Sequence, residues 1–438
     1  MKPRTYREYI QGTITFGVAY GVVSLLARWV TGNTILSSPE TLVKYGLLGG
    51  IGYAMMGATA LFLFGWITPY IRERFPNSMT LGDVLKERLR GRSYWFVMWV
   101  LLLTSLDSLF IQALGAGVLF HFLLKTPIYV GLLVFFLYCF LLSIGGMKQI
   151  HRFEGIHISF IFAAIILIPV YFFIQKGIFP VYDGLLLYHP YLLFLKHNEI
   201  TLFILTAFLI GFGQVLIDRA TWQRIYIIEK SKVRTSFMMA GIIWATIPLA
   251  FTAIVLIAVY GQGFENIYSI LSQLVEKIDS LFLLLLFIGC CFSAIASTVG
   301  AELHATSIMV IRNMLNHKFD WSEEQQLKKT YLVSGVLSLS LFLISSILSP
   351  SLMELIFFFA QVYAAIIPTM LAIIFYKRTI PVLLPYCSLI GLGTGLLSLL
   401  SYNSIQSTWI SFFVSSGLVM ISLVVNEIRI HKKMKPYP

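Results

Sequence analysis

Polar side chains lie within stretches that are otherwise apolar, and they carry whatever chemistry this chain performs. They are Asp107, Gln112, Asp218, Ser297, Thr298, Glu302, His304 and Gln361. Such side chains are costly in an apolar environment, so each needs a partner or a function. Carboxylates can carry protons or attract cations, and two adjacent hydroxyls can supply oxygen ligands to a hard cation. The alternative is purely structural, because Ser and Thr also bond back to carbonyls of their own helix and polar residues join neighbouring helices.

The composition shows where these residues must sit. Of 438 residues, 58% are apolar and 12% are charged, and the mean hydropathy is +0.83. Soluble proteins carry about 25% charged residues, so a soluble globule is excluded, as is a disordered chain. The four cysteines form no CxxC or Cys/His cluster, so we predict neither a metal site nor a disulfide. No HExxH or GxSxG motif indicates an enzyme.

Twelve apolar spans can be read from the sequence. They cover residues 10–30, 43–69, 95–123, 127–146, 155–175, 201–222, 237–260, 281–311, 331–349, 352–375, 380–400 and 409–428. About 20 apolar residues suffice to cross a bilayer as a helix. Backbone groups in lipid must be satisfied within the segment, so the spans are predicted to be helices.

The basic residues predict the orientation. With the N-terminus inside, 26 of the 32 Lys and Arg residues fall on the inner side, and Arg28 is one of the six assigned to the outside. This asymmetry predicts that both termini are cytoplasmic.

Glycines predict interruptions in two of the spans. Gly12, Gly17 and Gly21 fall in the first span, and Gly211 and Gly213 in the sixth. Interruptions at corresponding positions of two halves are typical of inverted-repeat transporters, whose sites lie at the broken helices.

Five short segments occur in a recognisable order. They are Thr80-Leu81-Gly82-Asp83 with Arg88, Gly145-Gly146 followed by Glu154 and His157, Asp218-Arg219-Ala220-Thr221-Trp222-Gln223-Arg224, Ala296-Ser297-Thr298, and Lys377-Arg378-Thr379. Together they resemble the sodium:solute symporter family, and the third is most similar to the form in its urea branch.

The resemblance implies an all-α polytopic membrane protein with about twelve transmembrane helices. Helices 1–10 would form a LeuT-like core of five plus five helices in inverted repeat, followed by two C-terminal helices. Residues 1–438 would be a single transporter domain, with one repeat at about 8–176, a second at about 200–376, and the additional helices at 380–428.

The resemblance also implies the sites. Sodium would be bound by the carbonyl of Ala294, the hydroxyls of Ser297 and Thr298, and the carbonyl of Ile10, with Glu154 adding negative charge on the exit path. The solute would lie between the broken helices and helices three, eight and ten. The residues nominated for this pocket are Gln11, Phe16, Asp107, Gln112, Gln214, Asp218 and Tyr363, of which Asp218 hints at a cationic or amine-bearing solute.

The expected function is sodium-coupled symport of a small organic solute into the cell by alternating access. One alternative is proton coupling, with Glu154 or Asp218 as the carrier; the other is a sensor or accessory protein that keeps the fold without transport. No cofactor is expected beyond Na⁺, or H⁺ in its place. The expected partners are the solute and the lipid bilayer, with no nucleic acid, and the chain is expected to be a monomer or weak homo-oligomer in a prokaryotic cell membrane.

Overall fold

The computed structural model describes residues 3–124, 126–194, 198–259, 273–348 and 352–434, and this part of the chain is helical. The first helices are α1 (Tyr6–Gln11), α2 (Val18–Trp29), α3 (Gly32–Arg74), α4 (Leu81–Arg88), α5 (Arg92–Leu124), α6 (Ile128–Ile144), α7 (Gly146–Lys176) and α8 (Ile178–Tyr188). They are followed by α9 (Asn198–Ile217), α10 (Arg219–Ile227), α11 (Val233–Val259), α12 (Leu281–Ile308), α13 (Asn316–Phe319), α14 (Glu323–Ile347), α15 (Leu352–Phe375), α16 (Tyr386–Ser398) and α17 (Ser404–Met434).

The first predicted span contains one interruption and ends at another. The segment from Gly12 to Gly17 separates α1 from α2, as the glycines predict, and Gly12 adopts a φ of 74° that favours glycine. A second interruption, which the sequence did not predict, follows Trp29, where Val30 and Thr31 are extended before α3 begins. The Thr31 side chain caps α3 by accepting from the backbone N–H of Thr34.

The interruption of the sixth span lies at Asp218, so its assignment to Gly211 and Gly213 was wrong. Both glycines are inside the continuous helix α9, whereas Asp218 separates α9 from α10 and accepts the N–H of Thr221 as a helix cap. The glycines instead allow close packing, since a Cβ on Gly213 would lie 2.2 Å from the carbonyl oxygen of Tyr363 in α15.

Nine helices in the described ranges are long and apolar enough to cross a membrane, judged by length and composition. Four shorter apolar helices accompany them: α2, α6, α8 and α16. Three of these fall within predicted spans one, four and eleven, whereas α8 lies between the predicted spans five and six. The count of twelve therefore remains a prediction.

Helix α12 lies at the centre of the protein. Every side chain from Ser293 to Ile308 is buried, and the helix packs against α2, α5, α6 and α7. The polar residues of this segment consequently face other helices rather than lipid.

The close packing of α9 on α15 predicts the effect of adding one methyl group. We expect Gly213→Ala to destabilise the protein by about 1–3 kcal/mol, because the new Cβ cannot fit without displacing backbone. Thermal unfolding of the purified protein in detergent measures this. Gly417→Ala is the matched control, since a Cβ there meets nothing within 4 Å; equal melting temperatures for the two variants would contradict the packing.

Candidate functional site

Three backbone carbonyls and two hydroxyls meet where α2 ends against α12. The Thr298 hydroxyl lies 3.1 Å from the carbonyl oxygens of Val30 and Ala294 and 3.4 Å from that of Arg28. The Ser297 hydroxyl lies 3.3 Å from the carbonyl oxygen of Ala294. We call these five oxygens the oxygen cluster. Bonding back within α12 accounts for the contacts to Ala294, but Arg28 and Val30 belong to a different segment of the chain.

The oxygen cluster contains more acceptors than donors. A hydroxyl has one hydrogen to donate, yet Thr298 faces three carbonyl oxygens. The carbonyls of Arg28 and Val30 are available because α2 stops at Trp29, and the last carbonyls of a helix have no partner within it. Within the described ranges, no group of three or more His, Cys, Asp or Glu residues could hold a metal ion. Neutral oxygens of this kind suit a hard monovalent cation.

The other polar groups at this interruption have partners. The carbonyl of Trp29 accepts from the Trp244 indole at 2.8 Å, and the Gln112 side chain accepts from the N–H of Gly32 at 2.8 Å. The Trp29 indole donates to the Thr221 hydroxyl at 2.9 Å, which connects the interruption to α10. The extended segment is therefore held in place by α5, α10 and α11, as buried backbone requires.

Four buried charges lie beside the oxygen cluster. Arg28 is 2.6 Å from a carboxylate oxygen of Asp218 and 2.6 Å from one of Glu302. Arg219 pairs with the other oxygen of Glu302. We call these four residues the charge cluster; its formal charges sum to zero, which is what burial within a membrane demands.

The charge cluster joins both interrupted spans to α12. Arg28 lies in the last turn of α2, Asp218 separates α9 from α10, and Glu302 lies one helical turn beyond Thr298. Arg219 also donates to the carbonyl of Leu101 at 3.0 Å and the hydroxyl of Thr104 at 2.8 Å, which adds α5. The two helix interruptions are thus fixed against each other by ion pairs.

Glu154 belongs to a separate buried group. Its two carboxylate oxygens are bonded to Arg224 and, at 2.6 Å, to His151. Arg224 also donates to the carbonyl of Ser24 at 3.0 Å. Because Ser24 lies one turn before Arg28, this group sits on the α1 side of the oxygen cluster, and no described contact joins Glu154 to that cluster.

The structure places Ile10 away from the oxygen cluster. Ile10 packs with Tyr6, Tyr9, Ile308 and Ile311, and Ile308 is ten residues along α12 from Thr298, or about 15 Å. The carbonyls beside Thr298 belong to Arg28 and Val30 because the second interruption, not the first, faces α12. Neither Arg28 nor Val30 was nominated from the sequence, because Arg28 was assigned to an outer loop; a lone arginine at the end of an apolar span was the available signal.

A cavity of about 180 Å³ lies between the two interruptions. Five of the seven nominated pocket residues line it: Asp107, Gln112, Gln214, Asp218 and Tyr363. Trp29, Tyr53, Trp244 and Phe359 contribute aromatic walls, and Glu40 and Lys44 also line it. The side chain of Lys44 is exposed, so the cavity reaches the side of the protein that the basic residues predict to be external.

Gln11 and Phe16 do not line this cavity. Phe16 exchanges backbone hydrogen bonds with Ile227 and Glu229 beyond the end of α10, and its ring contacts that of His151. Gln11 is the last residue of α1. Both were nominated because the interruption of the first span was placed only at Gly12–Gly17.

Comparison with known proteins identifies a family of transporters. The sequence profile of the sodium:solute symporter family matches residues 9–380. The probable urea active transporter 1 of Schizosaccharomyces pombe is 23% identical over 280 residues, which are 58% of this chain and 40% of that protein. The urea-proton symporter of Oryza sativa subsp. japonica is 21% identical over 52% of this chain and 36% of its own length. The sodium/pantothenate symporter of Escherichia coli is 27% identical over 133 residues, which are 29% of this chain and 27% of that protein. The matched regions thus span less than half of each of these relatives.

Solved structures share the fold. A Na⁺-coupled sialic acid symporter in a substrate-bound outward-open state superposes with a TM-score of 0.80 at 16% identity, over 97% of this chain and 93% of that one. A nucleobase-cation-symport-1 family transporter with bromovinylhydantoin bound superposes with a TM-score of 0.63 at 12% identity, over 99% and 96%. These likenesses show a helical transporter fold.

The charge cluster predicts that removing one carboxylate is costly. We expect Glu302→Gln to destabilise the protein by about 3–5 kcal/mol, because Arg28 and Arg219 would lose their shared counter-ion while buried. The loss is measured by thermal unfolding and by the yield of monodisperse protein. Glu324→Gln is the matched control, since Glu324 pairs with Lys328 on the surface, and we expect no measurable change there. A Glu302 variant as stable as this control would contradict the role of the cluster.

Proposed function

The chain belongs to the sodium:solute symporter family, and from this premise we propose that it takes up a small organic solute by sodium-coupled symport. The observation that carries the proposal is the oxygen cluster, in which the hydroxyl of Thr298 faces carbonyls of the interrupted first span. We assign sodium to this cluster, with the carbonyls of Arg28, Val30 and Ala294 and the hydroxyls of Ser297 and Thr298 as ligands. Ile10 and Glu154 are not part of this proposed set.

Arg28 supplies the coupling in this proposal. Its carbonyl belongs to the oxygen cluster, while its side chain lines the cavity and pairs with Asp218. A bound cation would hold the Val30–Thr31 segment against α12 and so keep the walls of the cavity in place. Sodium would thereby favour the conformation that binds solute, and the inward sodium gradient would drive the cycle by shifting that population.

The cavity is the proposed solute site. Asp107, Gln112, Gln214, Asp218 and Tyr363 supply the polar groups, and the aromatic walls supply apolar surface, a combination usual for small organic ligands. We further propose that residues 8–176 and 200–376 are the two repeats of one domain 1–438, since each contains one of the interruptions that meet at Arg28 and Asp218. Both termini are proposed to be cytoplasmic, in a cell membrane.

Proton coupling is the second candidate. The buried Glu154, shared by Arg224 and His151, is a carboxylate that could exchange a proton with the imidazole, and one of the relatives is a urea-proton symporter. Replacing sodium by choline at fixed pH separates the two candidates. Uptake that survives the replacement and follows an imposed pH gradient would favour protons.

Removing the Thr298 hydroxyl tests the sodium site directly. We expect Thr298→Ala, alone or with Ser297→Ala, to weaken sodium binding at least about tenfold, since a ligand to a charged group is lost. Binding of radioactive sodium to the purified protein measures the effect without knowledge of the solute. The control is Ser346→Ala, whose hydroxyl bonds only to the carbonyl of Phe342 in its own helix. Unchanged sodium binding in the Thr298 variant would refute this site.

A further inference from the structure

Asp107 is a buried carboxylate for which no hydrogen bond is described. It is 7% exposed, its Oδ1 atom is buried with no hydrogen-bond partner among the described residues, and its side chain lines the cavity. Neither the charge cluster nor the oxygen cluster includes it. An unpaired buried carboxylate is costly, so it indicates a ligand group that the protein alone does not supply.

The nearby arginines are already engaged. Arg219 reaches α5 one turn before Asp107, but it donates to Thr104, to the carbonyls of Leu101 and Ile217, and to Glu302. Arg28 donates to Asp218 and Glu302. Neither arginine has a described hydrogen bond to Asp107.

The ionisable residues along the cavity leave one negative charge. The lining includes Arg28 and Asp218, which form an ion pair, and Glu40 and Lys44, which lie four residues apart on α3. These two pairs cancel, and Asp107 remains. When Asp107 is ionised, a ligand with one positive charge would balance the site.

The walls of the cavity suit a cation as well. Trp29, Tyr53, Trp244, Phe359 and Tyr363 line it, and aromatic faces attract cations, most strongly where water is excluded. A small N–H cation could place its charge against these rings and its hydrogen bonds on Asp107.

We propose that the solute is a small organic cation with N–H donors, an amine or guanidinium compound, and that Asp107 is the acceptor that selects it. The proposal rests on the proposed function, in that it takes the cavity as the solute site. It moves the recognition of a cationic group from Asp218, which Arg28 already neutralises, to Asp107 on α5.

Methylguanidinium and methylurea are the probes for this proposal. The two are planar and nearly equal in shape, but only the first is charged, so the difference between their affinities measures the preference of the site for a cation. We expect methylguanidinium to bind the purified protein at least about tenfold more tightly than methylurea in sodium-containing buffer, because hydrogen bonds to charged groups are the stronger ones. Isothermal titration measures both affinities, with methylammonium as a second cationic probe.

The matched variants are Asp107→Asn and Asp183→Asn. Asp183 is an exposed carboxylate on α8 and does not line the cavity. We expect Asp107→Asn to remove the preference for methylguanidinium while methylurea affinity stays within about twofold, and Asp183→Asn to change neither. A melting temperature for each variant shows that it is folded, and Asp107→Glu should retain the preference if Asn disturbs folding.

Three results would overturn the proposal. They are equal or tighter binding of methylurea by the unaltered protein, an equal loss of both probes in Asp107→Asn, and no saturable binding of either cationic probe. Radioactive sodium binding at Thr298 is measured without any solute, so the proposed symport can survive each of these results. Loss of sodium binding, in turn, would not by itself abolish the preference for a cation at Asp107.

Discussion

The pairing of four charges within the protein is the constraint on which the rest of the structure depends. Two arginines and two carboxylates are each costly in an apolar surrounding, and together they are neutral. Arg28 and Asp218 stand at the two helix interruptions, and Glu302 stands on the central helix α12. Satisfying these charges therefore brings the two interruptions to the same place. The oxygen cluster and the cavity both follow from that meeting, because each uses backbone or side chains that the interruptions release.

An interrupted helix is useful because it leaves carbonyls without partners, and the protein satisfies only some of them. The carbonyl of Trp29 accepts a hydrogen bond from the Trp244 indole at 2.8 Å. The carbonyl of Leu216 accepts one from the Trp222 indole at 3.0 Å. The carbonyls of Arg28 and Val30 share a single hydroxyl. An indole N–H can only donate, so it satisfies a carbonyl but cannot bind a cation. A hydroxyl can rotate its hydrogen away and present its oxygen to a cation. The choice of donor thus separates structural carbonyls from carbonyls that can bind an ion.

The sequence predicted what depends on composition and short motifs. Ser297 and Thr298 were nominated as sodium ligands from the family resemblance, and this stays a prediction. The structure places the Thr298 hydroxyl beside the carbonyls of Arg28 and Val30, and five of the seven nominated solute residues line the cavity. The interruptions were only partly predicted, since glycine content does not reveal which backbone groups are capped: Gly211 and Gly213 pack a continuous helix, and Asp218 makes the break. Arg28 was assigned to an outer loop because hydropathy cannot detect counter-ions 190 and 274 residues away. Glu154 was likewise interpreted as a free negative charge, because its ion-pair partner Arg224 could not be recognised from the sequence.

Under the proposed transport cycle, the contacts on the side opposite to Lys44 are the ones that would have to separate. Phe16 bridges to Ile227 and Glu229, and Asp83 pairs with Arg312 at 3.0 Å. The Asp83–Arg312 pair is partly exposed, at 17% and 28%, so water can replace it at little cost. The charge cluster is buried, and breaking it would leave unpaired charges without access to water, which is costly. If access alternates as proposed, the peripheral contacts would therefore separate at less cost than the charge cluster.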